Sequence, residues 1–354
     1  MKLIKKATLA LGLSLLLTST VLGNTVATPS TTTSGVDSNT VMQKVLTKDV
    51  AIEAAIAMNN SLSLNAQEYN VLTEKMEAVD NISSYAYKQL AISRNQNVQK
   101  REFLIDKITA DITKRYDNIV LLEMEIENLK EDIALQERVI HNLELQQKIG
   151  LATSLQLSSS KVQLESLQTN KRAKEETLKS EKANFALLTN KNLDNYTLEN
   201  NITFTPLRIE NISSYSQAKA DTYLKYQVEF AELQQNNIFS NFITGPSYAD
   251  YLNVKYTVNS ATLTVEDSRD TLIQSLTTSY ASLLSMEEQI HALNSQINLL
   301  KSQLKTLALQ YKVGLVTKLD FDKQATNLKD LQFSLTSLIN SYNNLAMVLE
   351  KPWI

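Results

Sequence analysis

Apolar side chains recur every three or four residues along two long stretches of this chain. In the second stretch they are Leu283, Met286, Ile290, Leu293, Ile297, Leu300, Leu304, Leu307 and Tyr311, then Phe321, Leu328, Leu331, Leu335, Leu338, Tyr342, Leu345 and Leu349. Gln324 is the one polar member of the series. A sustained repeat of 3.5 residues keeps one stripe facing a partner helix and predicts a left-handed coiled-coil seam. The first stretch is looser. Ile119, Leu122, Ile126, Leu129, Ile133, Ile140 and Leu143 share a stripe with Gln136, and Leu157, Leu164, Leu178, Phe185 and Leu188 share one with Lys171. Glu287, Glu288, Gln303 and Lys305 are expected on the remaining faces.

Each stretch turns on a glycine. Lys148-Ile149-Gly150-Leu151-Ala152-Thr153-Ser154-Leu155 and Lys312-Val313-Gly314-Leu315-Val316-Thr317-Lys318-Leu319 are near-copies set 164 residues apart. Glycine takes the left-handed conformation that ends a helix without steric cost. Thr153 and Thr317 are suited to cap the next helix; Gln156 follows at a capping-box spacing, and Asp320 puts an acid where the helix dipole favours it. The phrases therefore predict two helix–turn–helix tips on arms of about 45 Å or longer. A good turn explains the glycine and the threonine, but not an apolar Leu151 and Leu315 at an exposed bend.

The duplication organises the rest. Residues 45–191 read as a first repeat, 192–213 as a crossing segment and 214–354 as a second repeat. Val50 to Tyr69 reads as an Ala-rich opening helix, with Ala218 to Leu233 its faint counterpart. Ile202, Phe204 and Leu207 alternate around Pro206 and suggest one short strand. Fold class is mainly all-α: duplicated antiparallel coiled-coil hairpins with at most short β segments.

Composition sharpens this picture. Six glycines and four prolines in 354 residues leave long stretches without a helix breaker. Residues 1–27 carry Lys2, Lys5 and Lys6, then an apolar run, then Thr25-Val26-Ala27, the three-part pattern of a secretory signal peptide. Its apolar core is short for a spanning helix, and residues 28–44 read as a flexible linker. Losing the three leader lysines takes the net charge from −3 to −6, well mixed along the chain, which argues against a nucleic-acid partner. With no cysteine, neither a disulfide nor a thiolate metal site is available.

These features resemble the TolC family of outer-membrane efflux proteins. The resemblance rests on the duplicated halves, the opening helix with Asn59-Asn60-Ser61-Leu62 and the two Gly-Leu-x-Thr tips, the second preceded by Tyr311. It covers nearly all of the chain after the leader. It implies a homotrimer whose helices form a hollow tube in the cell envelope. In that arrangement the tips dock a periplasmic adaptor linked to an inner-membrane pump for efflux or type I secretion. Carried over, the docking positions are Gly150, Leu151, Thr153, Gly314, Leu315 and Thr317, and Asp320 falls on a position that constricts the pore. Gln156 and Lys323 stand where the family has acids, which puts an acid ring in doubt.

One departure concerns the membrane. Family members contribute four strands per subunit to a barrel, each of about 9–11 alternating residues. Here Ser83 to Asn97 shows no clear alternation, and only Leu252, Val254, Tyr256 and Val258, after Gly245-Pro246, alternate. A barrel-reduced relative is the expectation. The rival reading is an exported coiled-coil scaffold or adhesion protein without transport.

No catalytic constellation is present, so no enzyme and no cofactor is expected. His141 and His291 do not correspond across the repeat and read as flanking helix-surface residues. Glu123, Glu125, Glu127 and Asp132 are spaced as a solvated coiled-coil face.

Overall fold

The structure is a computed structural model describing residues 44–237 and 247–354. The leader expected over residues 1–27, the linker up to residue 43, and Gly245 and Pro246 lie outside the described residues.

Most of the long stretches without glycine and proline are helical. In the first repeat α1 (Lys48–Met58), α2 (Asn60–Glu77), α3 (Tyr85–Lys148) and α4 (Ser154–Thr189) succeed one another. In the second they are α5 (Ile212–Asn236), α6 (Tyr248–Lys312) and α7 (Lys318–Glu350). Helices α3 and α6 run 64 and 65 residues, about 96 Å each at 1.5 Å per residue. Helices α4 and α7 have 36 and 33 residues, so each long helix overhangs its partner by about 45 Å. Helices α2 and α5 pack beside the long helices of their own repeats. The expected duplication is thus visible as helix order and length.

The seams carry the packing. Leu283, Ile290, Ile297 and Leu300 on α6 are buried, and Tyr342 and Leu349 of α7 pack with Leu283 and Ile290 in one core. In the first hairpin Ile119, Ile126, Leu129 and Ile140 are buried on α3, which packs along α4. Gln136 is buried there too, tolerated because its amide donates to the Ser160 carbonyl at 2.9 Å. At the far end of α4 the expected stripe gives way: Leu188 is exposed, while Phe185 and Thr189 are buried.

Three further expectations change. The opening helix is two helices, broken at Asn59, whose extended backbone and side-chain acceptance from the Ser61 N–H cap α2. The short strand does not lie at Ile202–Leu207; it is β2 (Tyr196–Leu198), parallel to β1 (Lys44–Leu46). Ile202 packs on the first core, and Phe204 and Leu207 on the second, so this stretch is an irregular strap. The alternating Leu252–Val258 segment is helical, the first turns of α6 being fastened by a Ser247–Asp250 capping box. Its alternation loses to helix continuity because no breaker separates it from the heptads behind it. Ser83 to Asn97 is helix from Tyr85 onward. Among the described residues the only sheet is the β1–β2 pair, and no helix is long and apolar enough to cross a membrane.

Tyrosines anchor the crossing segment. The fully buried Tyr116 hydroxyl donates to the Leu46 carbonyl and accepts the Glu199 N–H, each at 2.7 Å. Tyr342 accepts the Leu207 N–H at 2.8 Å.

Candidate functional site: the paired hairpin tips

Both tips close by the same backbone device. The Leu151 N–H donates to the Gln146 carbonyl at 2.8 Å and the Gly150 N–H to Gln147 at 3.0 Å. In the second tip Leu315 donates to Gln310 at 2.9 Å and Gly314 to Tyr311 at 3.0 Å. These are Schellman motifs, and they need a left-handed residue, supplied by Gly150 at φ 77° and Gly314 at φ 78°. The threonines then start the return helices. The Thr153 hydroxyl accepts the Gln156 N–H at 3.2 Å while Gln156 returns the bond to the Thr153 N–H at 2.8 Å, a complete capping box. The Thr317 hydroxyl accepts the Asp320 N–H at 3.1 Å and donates to the Asp320 carboxylate at 2.7 Å.

This bonding divides the expected site residues into two kinds. Gly150, Gly314, Thr153 and Thr317 hold the bend, and the Asp320 carboxylate is engaged in its cap. Leu151 and Leu315 are each 75% exposed. A Schellman turn usually packs that residue on an apolar side chain at the third-from-last helical position. Here that position is Gln146 or Gln310, and although Leu145 and Leu309 one residue earlier are apolar, the leucine remains largely exposed. Ile149 and Val313, 70% and 71% exposed, form a second apolar point on each tip that the sequence reading did not select. The repeated Ile/Val-Gly-Leu order was the signal for them.

The two tips lie at the same end. Helix α3 packs along α7, so the second hairpin flanks the first. Arg138 bonds Asp322 and Lys329 bonds Glu131 across that joint. Arg138 stands 12 residues before Gly150 and Asp322 stands 8 after Gly314, so at 1.5 Å per residue the bends end within about 6 Å of one another along the axis. The second tip differs in one respect: Tyr311 stacks on Phe321, ring centroids 6.1 Å apart.

Charges behind the tips are placed unequally. Glu123 and Glu125 bridge to Lys182 and Lys174 of α4, and Glu127 to Lys130 of its own helix. Asp132 and Asp330 have carboxyls pushed above the usual aspartate range, by partial desolvation first and then by neighbouring acids, Asp330 and Glu131 for the former and Glu131 for the latter. Glu287, expected on a polar face, is instead buried, held by Arg208 of the strap with His291 at 3.6 Å. His141 is exposed, and His291 meets Phe204 edge-on. Among the described residues no group of three His, Asp or Glu is placed to hold a metal ion.

This architecture has solved counterparts. The chain is similar to the channel protein CusC, with a TM-score of 0.61 and 11% identity over 86% of this chain and 91% of that one. It is similar to the outer-membrane protein VceC of Vibrio cholerae, with a TM-score of 0.59 and 11% identity over 86% and 96%. Against the CmeC outer-membrane channel of Campylobacter jejuni the TM-score is 0.53, with 12% identity over 93% and 94%. No family model and no curated protein matches the chain in sequence. The fold is the TolC-type paired hairpin expected from the tip phrases.

Proposed function

We propose that this chain is an exported, TolC-like channel component of an efflux or type I secretion system in the cell envelope. Three copies form the tube, and the tips dock a periplasmic adaptor that leads to an inner-membrane pump. The observation that carries this reading is the pair of matched tips at one end of a double-hairpin wall, each presenting an exposed leucine. Gly150, Thr153, Gly314 and Thr317 set the shape of the docking points, and Leu151 and Leu315 are the contacts. In a trimer Asp320 recurs three times just behind the second tip, which is where a constriction of the tube belongs. The similarity to outer-membrane channels over most of the chain supports the same reading.

Two measurements test it. Cross-linking of the purified chain gives trimers; a strict monomer or dimer rejects the tube. Leu151→Asp with Leu315→Asp leaves helicity unchanged and abolishes co-purification of the adaptor, whereas unchanged co-purification rejects docking.

A second reading, an envelope scaffold without transport, is favoured by one observation: helix occupies the described parts of both regions where family members carry membrane strands. Trimers that conduct ions across a planar bilayer decide for the channel, and trimers that never conduct decide for the scaffold.

A further inference from the structure

Charge around the tips is one-sided. From Leu145 to Ser160 the sole charged side chain is Lys148, and from Leu307 to Lys323 there are Lys312, Lys318 and Lys323 against Asp320 and Asp322. Both acids have partners within the protein, although Asp320 is exposed. Asp320 is engaged by Thr317, and Asp322, 16% exposed, is held by Arg138 with Lys318 at 3.4 Å. Lys148, Lys312 and Lys323 are exposed and, among the described residues, form no ion pair. The end that carries the apolar points is thus basic in a chain of net charge −3.

Helix stability explains only half of these lysines. Lys148 and Lys312 sit in the last turns of α3 and α6, where the dipole favours a cation. Lys318 opens α7 and Lys323 follows in its second turn, where the same dipole disfavours one. The i,i+4 neighbour of Lys318, Asp322, is already bonded to Arg138, and a lysine preceding its acid is the weaker order; Lys323 has no ion pair among the described residues. Folding does not call for these charges, and association does.

Building on the docking reading above, we infer that the partner of the tips is a protein surface with carboxylates flanking apolar sockets. The sockets take Leu151, Leu315, Ile149 and Val313, and the carboxylates meet Lys148, Lys312, Lys318 and Lys323. An anionic lipid surface is the other chemistry that seeks lysine beside apolar side chains. It fits less well, because interfacial anchors favour tryptophan and tyrosine. These points are aliphatic, and the one tip tyrosine, Tyr311, is stacked on Phe321.

A photo-reactive phenylalanine analogue at Leu155, the last residue of the first tip phrase, or at Leu309, just ahead of the second, both exposed, captures whatever sits on the tips of the full chain in its host. The expected product is a protein segment with Asp or Glu within one turn of apolar residues. Lys148→Glu with Lys312→Glu and Lys318→Glu lowers its yield about tenfold, and lysines placed in the captured segment restore it. If Leu151→Asp with Leu315→Asp abolishes the product but the lysine reversals leave it intact, docking stands and the acidic partner is overturned. A captured segment without acids, or cross-links confined to lipid, overturns it as well. If the folded chain yields no product at all, the docking reading falls together with it.

Discussion

Arg208 of the strap grips both carboxylate oxygens of Glu287 halfway along α6. The carboxylate is 9% exposed, and the guanidinium beside it holds its pKa below the usual glutamate value of 4.5. Contact with His291 adds to the same shift. A depressed carboxylate pKa contributes stability that is present above 4.5 and lost as pH falls through the folded value. Arg208→Ala removes the counter-charge and leaves a buried carboxylate that resists ionisation. The variant is therefore expected to melt lower than wild type at neutral pH and to recover part of the difference in acid, as read from thermal melts across pH. Glu287→Gln, which leaves only the exposed arginine unpaired, costs less than Arg208→Ala.

The opposite sign holds at the joint between the hairpins. Asp132 and the more exposed Asp330 have raised pKa values because partial desolvation and like charge disfavour their ionised forms. Their ionisation works against the fold at neutral pH, and stability rises as pH falls through the raised values toward 3.8. Asp330→Asn and Asp132→Asn should each raise the melting temperature at neutral pH. That gain vanishes below pH 3.8, where the wild-type groups are already protonated.

The glycines at the tips can be tested by conformation alone. A Cβ at Gly150 or Gly314 meets nothing within 4 Å, so the cost of replacement is that of the left-handed backbone and not of a clash. Gly150→Ala or Gly314→Ala should cost about 1–2 kcal/mol. Asparagine, which visits this region more readily, should cost less, as measured by chemical denaturation. A valine at either position should be worse than alanine.

A clasp joins the end of α7 to the first repeat. Trp353 stacks on Phe103 at 4.4 Å and donates its indole N–H to Asp106 at 2.8 Å, while the Lys351 ammonium binds the other oxygen at 2.6 Å. Asp106→Ala leaves the indole N–H without its acceptor, at a cost of about 1–3 kcal/mol. Because the chain has a single tryptophan, its fluorescence reports this site directly. The expected result is a red-shifted emission and a lower melting point than wild type.

Removing the Tyr116 hydroxyl tests how the crossing segment is held. Tyr116→Phe leaves the buried Leu46 carbonyl and the Glu199 N–H without their shared partner. A loss of about 1–3 kcal/mol is expected, since unsatisfied buried groups forfeit their hydration.

The sequence by itself determined the two hairpins, their bends and their caps, because these are local. A heptad stripe, a left-handed glycine and a threonine three residues before the N–H it caps each act within a few residues. It also determined that Leu151 and Leu315 are equivalent. The tertiary structure alone decided what depends on contacts distant in the chain. Glu287 is buried because Arg208, 79 residues away, reaches it. The tips are coterminal because α3 lies along α7, with Arg138 and Asp322 meeting 184 residues apart. The Leu252–Val258 alternation is strand-like in isolation yet helical here, because α6 continues unbroken through it and Val258 is buried in that helix. Such pairings carry no periodic signature along the chain, so only the folded geometry could assign them.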